Sequence, residues 1–444
     1  MRREWEDKVV ELLCAHTIDL RELAYLAGAD PTTFYIGARF NGADLRGQDL
    51  RGMNLEPDAL SGAIMDENTL VEADQPEPPT DVAHTIGLGR GRSNDLAMVI
   101  GSGTTQVFTP RRGLVLHEGS VLALRKGRNQ EIVQATGDEA QRMIGREPGH
   151  LRTIRPIEHD LISDPRTTEL MIRAFLDRSA SLSRIVAPRV VLAIPSGLTP
   201  VQKRSFREVC TAAGIRQAYL VSRAIAAALG ASLPSHANTI GVLDFGEGST
   251  DVAILGAAEA LALDSVRTGL IAFDAALAHY VRRNNNLIIG EATAANIRTA
   301  IGSAVLRDRD VDRSMSVIGR DIFQGVPREI RLSTRQYTEA IAGELAELAN
   351  FVNKMIERAG ARFELNHSGV VLTGMGADLP NLAWELSLSI GVPVTVAPAP
   401  SQAVIRGAGV ILSRPKLLRA LSRVGGDVGF GLFDLRDDLQ VASA

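Results

Sequence analysis

Residues Thr239–Leu255 read Thr-Ile-Gly-Val-Leu-Asp, Phe-Gly-Glu-Gly-Ser-Thr and Asp-Val-Ala-Ile-Leu. Two apolar runs flank a turn with glycine at Gly246 and Gly248, which predicts a strand, a tight turn and a second strand. Glycine lets the backbone approach an anion closely and direct successive N–H groups toward it. Asp244 ends the first run with a carboxylate that could hold a hydrated divalent cation. The stretch is therefore a candidate phosphate-binding hairpin.

A second copy of this pattern lies earlier in the chain, at Val99–Phe108, and superposes on Asp244–Ala253 without a gap. The matched pairs are Gly101 with Gly246, Gly103 with Gly248, Thr104 with Ser249, Thr105 with Thr250 and Val107 with Val252. Two similar hairpins predict two duplicated halves whose turns face each other across a cleft and grip one polyphosphate from both sides. A third glycine turn, Leu372–Ala377, follows an apolar run and is expected on the nucleoside side of the cleft.

Two strand-turn-strand units and a late Gly-x-Gly-Ala turn resemble the ATPase superfamily of actin, heat-shock chaperones and sugar kinases. Within it, the stretch from Asp95 to Leu412 resembles the bacterial actin family MreB, segment by segment and in the same order. The similar segments are Gly145–Gly149, Ile154–Pro156, Pro188–Gly197, Tyr280–Arg283, Ile289–Glu291 with Thr293 and Ala294, Ile301–Ala304, Gly325–Arg328 and Val371–Gly374. The resemblance implies an α/β, actin-like ATPase fold with two duplicated halves around a nucleotide cleft.

The resemblance also implies a ligand for the cleft, ATP or ADP with Mg²⁺. The three glycine turns and one later arginine would contact the nucleotide, and Asp244 would hold the metal ion through water. The expected contact residues are Gly101, Ser102, Gly103, Thr104, Gly246, Gly248, Ser249, Thr250, Arg298, Gly374, Met375 and Gly376.

The chain departs from the family pattern where the chemistry is expected. In the superfamily an acidic residue before the first glycine turn helps to order the water shell of the metal ion, and here that position is Val99. Ser222–Ala224 reads Ser-Arg-Ala where MreB reads Glu-Glu-Pro, and the second of those glutamates positions the attacking water. A carboxylate can accept a hydrogen bond from that water, whereas the guanidinium of Arg223 only donates and stays protonated. Arg223 could contact a γ-phosphate or simply fill the pocket; no catalytic residue is assigned, and at most weak ATPase activity is expected.

The nucleoside side also departs from the family. Between Gly290 and Ala304 MreB places Glu and Lys for the ribose and base, whereas this chain has Ala295, Arg298 and Ala300. The glycine turns are better preserved than the side chains that carry chemistry. This predicts either a nucleotide binder with slow or absent turnover, or a pseudo-ATPase retained for its fold and its polymer contacts.

Composition sets broader limits on the class of protein. The chain has 444 residues, enough for two or three domains, and a formal net charge of −4, which favours neither nucleic acid nor an anionic membrane as partner. Its two cysteines exclude a disulfide framework and are typical of a reducing compartment. The sequence contains no apolar run of membrane-spanning length and begins with an acidic segment unlike a signal peptide. We therefore expect a cytoplasmic protein, with contact to the inner face of the membrane left open.

The N-terminal region carries a different pattern. Every fifth residue from position 40 is large and apolar: Phe40, Leu45, Leu50, Leu55, Leu60, Met65 and Leu70. This period resembles the pentapeptide-repeat family, which implies a short right-handed β-solenoid with these side chains stacked inside. Open apolar ends favour a docking or self-association module over a mere cap on the N-terminal helices. The predicted domains are N-terminal helices (1–30), a pentapeptide-repeat module (31–70), a linker (71–94), the actin-like core (95–412) and a C-terminal tail (413–444).

Two apolar segments have alternative interpretations. Arg414–Arg423 could form a basic amphipathic helix that lies on an anionic bilayer, or a helix that packs on the core. Met171, Ile172, Phe175 and Leu176 fall near the region where MreB-like proteins carry an apolar membrane loop, but their helical spacing equally suits the core.

The leading functional interpretation is a bacterial actin-like cytoskeletal protein that forms or joins filaments. Its expected partners are further copies of itself in head-to-tail contact and a true MreB, and no nucleic acid. The alternative is a non-polymerising pseudo-ATPase adaptor that regulates another cytoskeletal or membrane-associated protein. A working ATPase or a sugar kinase is the third and least supported interpretation.

Overall fold

The computed structural model describes residues 95–418 apart from 128–130, 146–147, 180–186, 232, 234–236, 258 and 415–416, together with residues 20, 40, 45, 48 and 50. The chain divides into two compact units, Met1–Thr80 and Asp81–Ala444. The predicted linker, nearly all of the predicted N-terminal helices and repeat module, and nearly all of the tail lie outside the described residues. The predicted domain boundaries stay a prediction.

Only a few residues of the first unit are described. Leu45 and Leu50, two of the fifth-position residues, are buried. The backbone N–H of Gln48 donates to the carbonyl of Leu45 at 3.2 Å, and its side-chain oxygen accepts from the N–H of Leu20 at 3.2 Å. The burial agrees with the proposed stacking, but the solenoid itself lies outside the described residues and stays a prediction.

The second unit has the α/β composition that the sequence predicts. In chain order its strands are β1 (Leu96–Ile100), β2 (Thr104–Thr109), β3 (Gly113–Gly119), β4 (Leu122–Lys126), β5 (Glu131–Thr136), β6 (Leu151–Ile154), β7 (Ile157–Glu158), β8 (Leu161–Ile162), β9 (Arg189–Ile194), β10 (Gln217–Ser222), β11 (Ile240–Phe245), β12 (Thr250–Leu255), β13 (Ala260–Val266), β14 (Leu287–Ile288), β15 (Ser314–Asp321), β16 (Pro327–Ser333), β17 (Val370–Thr373) and β18 (Val394–Val396). Its helices are α1 (Asp138–Gln141), α2 (Pro165–Ser179), α3 (Pro200–Ala212), α4 (Arg223–Gly230), α5 (Leu270–Asn285), α6 (Glu291–Ile301), α7 (Thr334–Ala359), α8 (Arg362–Ser368), α9 (Leu382–Ile390) and α10 (Ala403–Ser413).

Two five-stranded sheets share one plan. Their strand orders are β10-β9-β1-β2-β3 and β18-β17-β11-β12-β13. In each sheet a central strand pairs antiparallel with the second strand of its hairpin and parallel with a strand that arrives much later in the chain. This correspondence confirms the predicted duplication. We call the part built on the first sheet the first half and the part built on the second sheet the second half.

Sequence explains why β1 and β11 are central. Both are runs of mostly apolar residues, buried along their whole length, as expected for strands covered on both faces. Helix α4 is likewise buried all round, from Arg223 to Leu229, because it packs against strands of both sheets. Its first residue is therefore placed between the two halves. Helix α10 packs on α4, β1 and β9, so the last described helix returns to the first half.

Smaller sheets extend each half. Strands β5, β4 and β6 form one three-stranded sheet, and β14, β15 and β16 form another. A two-stranded ribbon of β7 and β8 carries a tight turn at His159 and Asp160, both with positive φ. This ribbon brings one carboxylate into the cleft.

The structure decides between the two interpretations of the apolar segment on α2. Met171, Ile172, Phe175 and Leu176 are buried in the core of the first half, so the membrane-loop alternative is wrong for these residues. At the C-terminal side, Leu417 and Leu418 are buried in the hydrophobic cluster around α4 and α10, as the core-packing interpretation requires. None of the helices in the described part of the chain combines the length and apolar character needed to cross a bilayer.

Candidate functional site

The two glycine hairpins have the same geometry. Ile100 pairs with Thr105 in the first, and Phe245 pairs with Thr250 in the second. Each turn is closed by one backbone hydrogen bond, from Gly101 N to Thr104 O at 2.9 Å and from Gly246 N to Ser249 O at 3.0 Å. The gap-free superposition of the two stretches is therefore confirmed at the level of strand register.

The two turns face each other, as predicted, but they are in direct contact. A Cβ built on Gly103 would lie 2.2 Å from the carboxyl carbon of Glu247, and one built on Gly248 would lie 2.3 Å from Ser102 Oγ. The middle residue of each turn therefore lies against the second glycine of the other. Thr104 Oγ1 also donates to Glu247 Oε2 at 3.0 Å. Burial raises the pKa of Glu247, while the hydrogen bond from Thr104 acts in the opposite direction.

Asp160, which sequence reasoning missed, lies at the centre of the cleft. Its Oδ1 accepts from the N–H of Ser102 at 2.6 Å, and its Oδ2 accepts from Ser249 Oγ at 2.6 Å and from Arg223 Nη1 at 2.5 Å. Its own N–H donates to Ser102 Oγ at 2.6 Å. Burial by itself raises the pKa of Asp160, but the charge of Arg223 and these hydrogen bonds outweigh it and hold the pKa below its usual value. No local pattern in the sequence marks a lone Asp between two short strands as a site residue.

Arg223 opens α4 and its side chain is only 7% exposed. Besides Asp160, it faces Asp244, with Nε 3.5 Å from Asp244 Oδ2. Burial alone would lower the pKa of Arg223, but the carboxylates of Asp160, Asp244 and Asp251 outweigh it and raise the pKa. The sequence left two roles open for Arg223, contact with a γ-phosphate or filling of the pocket. In this structure its guanidinium fills the pocket as a permanent buried cation.

Asp244, the predicted metal-ordering residue, lies in the same cluster. Its Oδ1 accepts from Thr373 Oγ1 at 3.0 Å, and its Oδ2 faces Arg223. Burial raises the pKa of Asp244, and the charge of Arg223 opposes that rise. The guanidinium thus supplies a positive charge beside the carboxylate to which the sequence assigns a metal ion. Among the described residues, no group of three or more His, Cys, Asp or Glu side chains could hold a metal ion.

The third turn contacts the second hairpin through its glycines. Gly376 N donates to Phe245 O at 2.9 Å, and a Cβ on Gly374 would lie 2.4 Å from that same oxygen. Gly374 also has a φ of +94°. A Cβ on Gly376 would lie 2.3 Å from the ring of Phe245. Both glycines are therefore required by close packing against Phe245, whatever ligand is present. Met375, between them, packs against the core of the second half.

Arg298 lies on α6 and is already paired. Its Nε lies 2.8 Å and its Nη2 3.2 Å from the two oxygens of Asp274, a bidentate arrangement. Its charge also opposes the rise that burial causes in the pKa of Glu247. The guanidinium of Arg298 is held by a carboxylate that the sequence did not single out, and its predicted contact with a nucleotide stays a prediction.

In this arrangement the residues of the cleft do not fit a polyphosphate. The N–H of Ser102 has Asp160 as acceptor, and the close approach that Gly103 allows is used by Glu247. The cation position beside Asp244 is taken by Arg223. Three groups that would face a phosphate or its metal ion, namely Ser102 N–H, Gly103 and Asp244, therefore contact charged groups of this chain.

Asp251, on β12 beside this cluster, is the basis of a pH prediction. It accepts from Ser196 N at 2.5 Å through Oδ1, while Oδ2 is buried without a hydrogen bond. Burial raises the pKa of Asp251 to about 7, with Arg223 opposing and Asp244 adding to the rise. A pKa raised in the folded state gives stability that is complete below the unfolded value of about 3.8 and is lost as pH rises through about 7.

We expect Asp251→Asn to remove this part of the pH dependence. The amide oxygen can keep the bond from Ser196 but does not ionise, so the variant should gain up to about 4 kcal/mol relative to the natural chain between pH 4 and pH 8. Thermal melts followed by circular dichroism at pH 4, 6 and 8 measure the difference. Glu259→Gln, at an exposed turn position, is the control. A gap between natural and variant chain that is the same at all three pH values would contradict the assignment.

Two α/β halves of one plan, with facing glycine hairpins and a third turn beside them, define an actin-like fold. The family model "MreB/Mbl protein" matches residues 93–420. The cell shape-determining protein MreB of Escherichia coli K12 is 38% identical over 342 residues, which are 76% of this chain and 96% of that protein.

Solved structures agree in fold. MreB5 of Spiroplasma citri bound to ADP has a TM-score of 0.66 at 23% identity, covering 74% of this chain and 99% of that one. The MamK double helical filament has a TM-score of 0.59 at 17% identity, covering 72% and 99%. The chain belongs to the MreB/Mbl family and is a bacterial actin-like cytoskeletal protein.

Proposed function

We propose that this chain assembles head to tail into actin-like filaments and that its ATP hydrolysis is weak or lost. The filament part is supported by the MreB/Mbl match and by the likeness to MamK, whose structure is a double helical filament. A head-to-tail contact is heterologous, so repetition of it gives an open polymer. The partners we propose are further copies of this chain and a true MreB, in the cytoplasm and beside the inner membrane.

The single observation that carries the loss of hydrolysis is the ion pair of Arg223 with Asp160. By the resemblance to MreB, Arg223 stands at the position of the family's water-positioning glutamate. Its guanidinium is buried and donates to Asp160 at 2.5 Å. A group that only donates cannot accept a hydrogen bond from an attacking water. The ligand class proposed for the cleft, once its internal partners are displaced, is ADP or ATP with Mg²⁺, by analogy with the ADP-bound MreB5 structure. The contact residues predicted from the three glycine turns and Arg298 belong to this proposal.

Sedimentation of the purified full chain tests the function. The protein is centrifuged with no nucleotide, ADP, ATP or AMPPNP over a range of concentrations, the pellets are viewed by negative-stain microscopy, and phosphate release is followed in parallel. We expect filaments above a threshold concentration, including without nucleotide, and phosphate release at or only slightly above the uncatalysed background.

Two outcomes would contradict the proposal. Absence of pelleting in every state would favour the non-polymerising adaptor, in which the fold recognises another protein. Filaments accompanied by steady phosphate release well above the background would show a working ATPase, and the assignment of weak or lost hydrolysis would be wrong.

A further inference from the structure

The contact between the two glycine turns determines which groups occupy the space beside the turn glycines. Ser102 and Glu247 occupy equivalent middle positions of the duplicated turns, and each lies against the second glycine of the opposite turn. Glycines at these positions leave space that a phosphate group could approach. Here the space beside Gly103 holds the carboxylate of Glu247, which is an anion of this chain.

Asp160 likewise places a carboxylate of this chain where a phosphate could bind, at the first turn. Its carboxylate accepts from a turn N–H, a hydroxyl and a guanidinium, namely those of Ser102, Ser249 and Arg223. These are the kinds of donor that hold a bound phosphate. The backbone of Asp160 has a φ of +59°, a conformation costly for residues other than glycine. The four hydrogen bonds around Asp160 stabilise it in that conformation.

The same contacts join the two halves. Thr104 and Asp160 belong to the first half, whereas their partners Glu247 and Ser249 belong to the second. Arg223, at the start of α4, faces Asp160 of the first half and Asp244 of the second. In a polyphosphate-bound cleft, one ligand held by both turns would make this connection.

We propose that Asp160 and Glu247 act as internal anions that take the place of nucleotide phosphates and hold the cleft closed without nucleotide. The inference deepens the proposed function and rests on it for the filament readout. It assigns Glu247 and Asp160 as the residues that set the affinity of the cleft for polyphosphates. A nucleotide must displace both carboxylates and separate the turns before its phosphates can reach the turn N–H groups.

The test compares the natural chain with Glu247→Gly, Asp160→Gly and the double variant. Glycine suits the positive φ at Asp160, and in the double variant Arg223 keeps Asp244 and Asp251 as counter-charges. Isothermal titration with Mg-ATP and with inorganic tripolyphosphate, below the assembly threshold, measures affinity. We expect the double variant to bind both probes at least 10-fold more tightly than the natural chain, with the single variants in between.

Two control variants separate the effects of the charge and the volume of Glu247 from a nonspecific effect of introducing glycine. Glu259→Gly removes an exposed acid from the turn between β12 and β13 and should leave affinity unchanged. Glu247→Gln keeps the volume and an acceptor for Thr104 but removes the charge, so it should give a smaller gain than Glu247→Gly. If the double variant does not fold, as judged by circular dichroism, the two Glu247 variants carry the comparison.

Affinity and assembly distinguish this inference from the proposed function. Equal affinity of the natural chain, Glu247→Gly and Glu259→Gly, within threefold, would overturn the inference even if filaments form. We expect the double variant to form filaments only with nucleotide, whereas the natural chain should form them with or without nucleotide. Nucleotide-independent filaments of the double variant would also overturn it, while absence of filaments from every chain would overturn the proposed function and leave the affinity test to decide.

Discussion

Replacing Arg223 with alanine is expected to lower the free energy of unfolding by about 3–5 kcal/mol, because it leaves buried carboxylates without their counter-charge. Asp160, Asp244 and Asp251 are each at most 1% exposed, and the charge of Arg223 acts on the pKa of all three. Urea unfolding at pH 7.5, followed by circular dichroism, measures the change. The midpoint should move to lower urea, and residual stability should improve as the pH is lowered and the carboxylates become neutral.

A matched arginine provides the control for this prediction. Arg204 on α3 also pairs with a carboxylate, Glu208, at 2.7 Å, but its side chain is 79% exposed. Arg204→Ala is expected to change the free energy of unfolding by less than about 0.5 kcal/mol, as exposed ion pairs contribute little. Combining Arg223→Ala with Asp160→Gly should recover part of the loss, since one unpaired charge is then absent. A single Arg223→Ala variant as stable as Arg204→Ala would show that the buried ion cluster is not as described.

Gly407→Ala is expected to destabilise the protein by about 3 kcal/mol, through overpacking where helices α4 and α10 cross. A Cβ on Gly407 would lie 1.7 Å from the carbonyl oxygen of Ala226, and one on Gly230 would lie 1.9 Å from that of Ala403. Both clashes are with backbone, so no side-chain rotation can relieve them and the helices must move apart. Thermal and urea unfolding of the purified variant measure the loss.

Another helical glycine in the same chain is the control. Gly343 lies within α7 on an exposed face, and a Cβ there would meet nothing within 4 Å. Gly343→Ala is expected to raise stability by up to about 1 kcal/mol, because alanine has the higher helix propensity. If both substitutions stabilised the protein, the close approach of α4 and α10 would be wrong. The opposite signs expected for one chemical change make the comparison independent of any general effect of glycine replacement.

Much of the fold could be predicted from residues that are neighbours in the chain. The apolar runs and glycine turns predicted the two strand-turn-strand hairpins correctly, since turn chemistry and strand alternation are local properties. Their gap-free superposition predicted two halves of one plan, which the sheet orders confirm. The replacement at Arg223 was also visible, and with it the expectation of weak or lost hydrolysis.

What Arg223 does instead could not be predicted from sequence, because its main partner, Asp160, is 63 residues away and no periodic pattern marks it. The same holds for Glu247, whose place in a glycine turn was evident but whose contact with Gly103 was not. Met171 and Phe175 show the same limit: their helical spacing suited two interpretations, and burial decided between them.

The sequence by itself thus determined the duplicated hairpins, the family pattern and the lost glutamate. Only the tertiary structure decided that the cleft is filled by the chain's own charges. The physical reason is that ion pairs and close contacts depend on how the two sheets pack, and residues distant in sequence meet only after that packing has formed.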